Sequence, residues 1–155
     1  MSKLNTLTTA INARLTAGLV ALNNPVDGPL TTEITVLTED AGDLETKIDK
    51  AINELGLLVL IGQPHFVNTE LLANSANCKI SLAVAVGENP TLWRDEADLK
   101  PHAVAVMEYV TQLLHQFRVT GFQNLRVLRS DFIPDKKRQM YEISLETMFL
   151  LPKIP

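Results

Sequence analysis

Two segments of this 155-residue chain alternate large apolar side chains with mostly small or polar ones, and they limit its possible folds more than any other feature. Over 78–86, Ile80, Leu82, Val84 and Val86 fall on one side and Lys79, Ser81, Ala83 and Ala85 on the other. Near the C-terminus, Tyr141, Ile143, Leu145, Thr147, Phe149 and Leu151 alternate with Glu142, Ser144 and Glu146. A period of two sends successive side chains to opposite faces, so each segment predicts a strand with one face on a core. A short strand at 125–128, ending near Ile133-Pro134, precedes the charged turn Asp135-Lys136-Lys137-Arg138. Strand, charged turn and alternating strand together predict a hairpin.

An apolar sheet face needs cover, and helical periodicity elsewhere supplies it. Leu4, Leu7, Ile11, Leu15, Leu19 and Leu22 recur at steps of three and four, which predicts an amphipathic helix over about 3–23. It should stop ahead of Asn23-Asn24-Pro25, because proline disfavours helical geometry in the residue before it. Pro25, Gly28 and Pro29 make 24–30 a loop able to carry this helix some distance from the rest. A second helix begins at Asp43, with Leu44, Ile48, Ala51, Ile52 and Leu55 on one side and Gly56 as its stop. A third starts at Pro101, with Val106, Val110, Leu113, Leu114 and Phe117 as its stripe.

The segment 31–38 reads as extended, and the unbroken apolar run 57–61 reads as a strand buried on both faces. From 63 to 77 the sequence reads as irregular, with His65 in a loop and a turn of helix around 69–73. The sum is one α+β domain over 1–155. Its mixed or antiparallel sheet of four to five strands packs against two or three helices on one face.

Composition narrows the function. A chain of this length buries roughly 68–70% of its unfolded surface, so it needs no staples, and its single cysteine, Cys78, permits no internal disulfide. Fourteen basic against eighteen acidic residues give a net charge of −4, which argues against a general nucleic-acid binder. The apolar run 57–61 falls far short of the ~20 residues that span a bilayer. The first 24 residues lack the apolar block of a signal peptide, so no membrane association and a cytoplasmic origin are expected.

Chemistry-bearing residues are scattered. His102 and His115 stand thirteen positions apart on the third helix, on separated faces, and neither they nor His65 and Cys78 have zinc-site spacing. No G-x-S-x-G elbow, P-loop or G-x-G-x-x-G occurs, and the carboxylates at 39–49 read as a solvated helix face. No enzyme, metal or cofactor is expected. Charge, however, is polarised: residues 1–75 carry four basic and nine acidic side chains, whereas 118–138 carry six basic ones against Asp131 and Asp135. Such polarity suits head-to-tail assembly of copies, and it equally suits a charged hairpin tip that keeps a sheet edge soluble.

Several motifs in order resemble a known family. They are V-A-V-G-E-N-P at 84–90, T-L-W-R at 91–94, Q-L-L-H-Q-F at 112–117 within the third helix, and the closing Y-E-I-S-L-E-T at 141–147. Together, over about 78–150, they resemble the tail terminator, or tail completion, proteins of long-tailed phages. The chain departs from that pattern at Asp95-Glu96-Ala97-Asp98-Leu99-Lys100, where many relatives have a glycine-rich polar stretch.

The resemblance implies a small α+β subunit that closes into a six-fold homo-oligomeric ring on a finished tail tube, stops polymerisation and offers a surface to the head–tail connector. Its partners would be further copies of itself, the tube protein and the connector proteins, with DNA passing through the channel without sequence-specific binding. It would reside in the virion tail or neck, and in the host cytoplasm during assembly. The N-terminal helix would be an addition particular to a subgroup. The residues expected at the subunit or partner interface are Glu88, Asn89, Pro90, Trp93, Arg94, Asp135, Lys136, Lys137 and Arg138. Trp93, the only tryptophan, suits either an interface anchor or a cap on the chain's own core. Other readings are a different neck, tube or baseplate subunit, and a small soluble ligand-binding module.

Overall fold

The two alternating segments become the two longest strands, and they lie side by side. The structure, a computed structural model, describes residues 2–23, 34–40, 42–55, 57–71, 75–89, 103–134 and 139–152. In chain order these form α1 (Lys3–Asn23), β1 (Thr35–Thr38), α2 (Leu44–Lys50) widening into a π-turn (Ala51–Leu55), and β2 (Leu57–Ile61). There follow β3 (His65–Leu71), β4 (Ser75–Glu88), α3 (Ala103–Leu114), β5 (Arg126–Pro134) and β6 (Gln139–Pro152). One six-stranded sheet runs β1-β2-β4-β6-β5, with β3 also on β4.

Its spine is the antiparallel β4–β6 pair, in register from Ser75 opposite Pro152 to Glu88 opposite Gln139. Fourteen residues at ~3.4 Å each make a ladder about 45 Å long. On the far side of β6, β5 completes the expected hairpin. On the near side of β4, β2 covers 84–88 and β3 covers 76–81, so β2 and β3 act as one long strand interrupted at 62–64. Gly62 carries the ladder across that interruption, its N–H donating to the Ala83 carbonyl at 2.8 Å. Only β1 joins in parallel, beside β2, which makes the sheet mixed.

The β3 strand corrects the expectation of an irregular stretch with His65 in a loop and a helical turn at 69–73. Its register slips between Phe66 and Asn68, so Val67 bulges and the alternation breaks. Phe66 and Val67 are both exposed, and an edge with so little burial places no demand for a regular apolar pattern.

The α1 stripe does not leave the domain. Leu7, Ile11, Leu15 and Leu19 are fully buried and share one core with Ala103, Val106, Val110 and Leu114 of α3 and with Val59, Ile80, Leu82, Val84, Ile143 and Leu145 of the sheet. The helices approach closely because position 18 is glycine: a Cβ there would lie 2.5 Å from a methyl of Leu113. Helices cover both faces, not one. The α2 segment and its π-turn seal the opposite face beside β1 and β2, where Ala51, Ile52 and Leu58 pack with Leu37 and Ile48. This second cluster explains why β2 has no polar face.

Candidate functional site

The pleat of β4 decides where the Glu88-Asn89 pair sits. Ile80, Leu82, Val84 and Val86 face α1 and α3, so Glu88, two residues on, lies on that same face at the strand's end. There its carboxylate Oε2 accepts the Ala103 N–H at 2.6 Å, and the side chain is only 4% exposed. The first N–H groups of a helix have no partner within it, and the helix dipole favours an anion at that end. Glu88 is therefore a cap supplied to α3 from fifteen positions upstream. Asn89 turns the other way: its amide donates to the Ile52 carbonyl at 3.3 Å, tying the π-turn to the same strand end. Pairing these residues with the sheet's end was beyond the motif alone, although the period of two already put Glu88 on the core side.

The Glu88→Ala substitution is expected to cost about 1–2 kcal/mol, the usual loss for a helix cap with a charge-assisted bond. Glu88→Gln, which keeps an acceptor, should cost less than half of that. Urea titration of the three proteins checks the order, and equal midpoints for all three would remove the cap.

Pro90, Trp93, Arg94 and the turn residues Asp135, Lys136, Lys137 and Arg138 lie outside the described residues. The strand ends from which both segments depart are nonetheless register partners, since Glu88 faces Gln139 across the ladder and Gln139 also faces Pro134. The last described residues of β4 and β5 and the first of β6 thus lie together at one end of the sheet.

From that end runs an exposed arm. Every residue of β5 except Val127 is exposed, including Leu128, Phe132 at 54% and Ile133. Phe132 packs at a tilt against Tyr141 of β6, ring centres 5.3 Å apart. Basic residues on the strands are matched by acids: Lys79 and Arg126 both reach Glu146, at 2.8 and 3.4 Å, and Arg129 reaches Asp131 at 2.9 Å. Exposed pairs of this sort contribute little stability, and their effect is to set the local charge. His115 sits where α3 ends, its Nδ1 accepting the Val127 N–H at 3.3 Å beside the register slip of β5. No pattern in the sequence marks that role, which depends on a bulge. Thr147, buried on β6, donates to the Gln123 carbonyl at 2.7 Å and anchors the connection between α3 and β5.

Among the described residues no three His, Cys, Asp or Glu side chains gather in a metal-holding group. No described helix is long and apolar enough to cross a membrane. Two grooves flank β1. One, of about 260 Å³, is lined by Asn5, Thr8, Thr9, Asn12, Thr38 and Asp40; the other, of about 270 Å³, by Thr35, Leu37, Lys47, Lys50 and Ala51.

No family model matches the chain, and no curated protein matches it. Among solved structures it is similar to a chain from the virion of a native gene transfer agent (GTA) particle, with a TM-score of 0.60 at 16% identity. The alignment covers 97% of this chain and 100% of that one. The two share a fold across nearly their whole lengths.

Proposed function

We propose that this protein is a structural subunit of a phage-like virion, and that it acts as the tail terminator. The observation that carries the proposal is the fold shared end to end with a component of a gene transfer agent virion. The motif order from Glu88-Asn89-Pro90 to the closing strand supports the finer assignment. In this reading copies of the chain close into a six-membered ring on the finished tail tube. One face of the ring copies the surface to which tube subunits add, and the other lacks it, so growth ends and a connector docks there. DNA passes through the ring without being read. The protein catalyses nothing and needs no cofactor; its work is shape and charge at an interface.

The sheet end shared by Glu88, Asn89 and the Asp135-Lys136-Lys137-Arg138 turn is the proposed contact with tube or connector. Light scattering on the eluted protein, with electron microscopy of any large species, tests the reading. Closed rings, alone or after tail tubes are added, are the expected result. Tubes would make the chain a tube subunit, and a monomer that ignores tail tubes would overturn a virion role. Reversing Lys136, Lys137 and Arg138 to Glu is expected to cut capping of tail tubes by about tenfold or more, the scale of like-charge juxtaposition at an interface. Melting should stay unchanged. Undiminished capping would remove this turn from the contact.

A further inference from the structure

The sheet ends in two unlike edges. Among the described residues no strand pairs with β1 on its outer side, and none pairs with β5 on its outer side. The β1 edge is acidic: Glu39 and Asp40 follow it directly, and Asp43, Glu45 and Asp49 surround α2, against Lys47 and Lys50. The β5 edge carries Arg126 and Arg129, which are paired with Glu146 of β6 and Asp131, so it lacks the acidic excess of the β1 edge. The two edges of one sheet thus differ in charge, one with an acidic excess and the other with two arginines.

We infer that the β1 edge accepts the β5 strand of a second copy of this chain, so that the sheet continues from subunit to subunit. The inference rests on the ring proposed above and names the surface that closes it. Strand directions agree with it. β1 runs parallel to β2, β2 antiparallel to β4, β4 to β6 and β6 to β5, which leaves β5 antiparallel to β1. Rotating one subunit about an axis along the strands therefore brings its β5 beside its neighbour's β1 in the antiparallel sense, without inverting the subunit.

The grooves agree as well. They open on the two faces of the sheet: Thr38 pairs with Ile61 on the α1 side, and Thr35 and Leu37 pair with Leu58 and Leu60 on the α2 side. A strand laid along β1 would send alternate side chains into each. On the α2 side β5 presents Arg126, Arg129, Asp131 and Ile133, which face Glu146, Ser144, Glu142 and Met140 of their own β6. Because the two strands would run antiparallel, Asp131 and Ile133 would lie along Thr35 and Leu37 in the groove that holds Lys47 and Lys50, while Arg129 and Arg126 would run on toward Glu39 and Asp40 beyond the end of β1. The β3 edge is a poorer acceptor, because its bulge at Val67 interrupts the ladder.

The test uses full-length chains carrying Asp40→Lys with Glu45→Lys, or Arg126→Glu with Arg129→Glu. Each variant alone joins like charges and is expected to assemble at least about tenfold more weakly than wild type, on tail tubes or free. Mixed in equal amounts, the two should recover assembly to within about threefold, in alternating rings, because every junction again joins opposite charges. Recovery only on mixing is the mark of a head-to-tail contact and also shows that both variants fold. If wild type assembles and neither variant weakens, the edge contact is wrong while the ring stands. If wild type never assembles, on tubes or off them, both proposals fall. Amides of β1 already protected from hydrogen exchange in the monomer would mean that the chain's own residues cover this edge, which also overturns the inference.

Discussion

Leu15→Ala is expected to lower stability by about 2–5 kcal/mol, the range for a leucine removed from a core whose surroundings cannot collapse into the gap. Leu15 is fully buried between the α3 stripe and the sheet. For a domain of this size each kcal/mol is worth roughly 2–4 °C, so the melting temperature should fall by about 4–20 °C. Val20→Ala, on the same helix but half exposed, should stay within about 0.5 kcal/mol of wild type. Thermal melts of the pair decide what α1 is. A large gap makes it a wall of the core; equal melts would return it to the status of an appendage.

Gly62→Ala should cost about 1–3 kcal/mol, because the new methyl has nowhere to go. A Cβ at that position would lie 2.8 Å from the Ala83 carbonyl oxygen, which is backbone of the neighbouring strand and accepts the Gly62 N–H at that same distance. One of the two contacts has to yield, and both belong to the junction that lets β2 and β3 share β4. Gly42→Ala is the control. Nothing lies within 4 Å of a Cβ there, so it should be neutral or stabilising by up to about 1 kcal/mol through the unfolded chain's lost freedom. Denaturant titration with unchanged slopes would establish both values, and an unperturbed Gly62→Ala would mean that the junction flexes.

The parts of this fold that could be read from sequence are those where one strict demand acts on every residue. The spacing of Leu7, Ile11, Leu15 and Leu19 announced α1, and the alternation from Ile80 to Val86 and from Tyr141 to Phe149 announced the central pair. Burial on a single face enforces such patterns. At β3 the demand is absent: an edge strand with a bulge, exposing Phe66 and Val67, carries no period. The placing of α2 on the opposite face was equally hidden, since periodicity tells that a helix has an apolar side and not which sheet face receives it. Of the candidate residues, the sequence marked Glu88 and Asn89 as a pair with a purpose. It did not show that the first caps α3 and the second holds the π-turn, because both partners, Ala103 and Ile52, are brought there by tertiary structure.

The long β4–β6 ladder also governs when the subunit comes into being. Its strands lie more than fifty residues apart in the chain, and β6 sits between β4 and β5 in the middle of the sheet. Closing so large a loop is an entropic cost that must be met before the pairing rewards it, which slows folding in sheets built from distant strands. Until β6 is synthesised, β4 has no neighbour on that side, β5 has no sheet to join, and α1 and α3 lack half of the apolar floor they rest on. The edge that β5 presents therefore exists only on a finished molecule. A nascent or truncated chain has no such edge to offer.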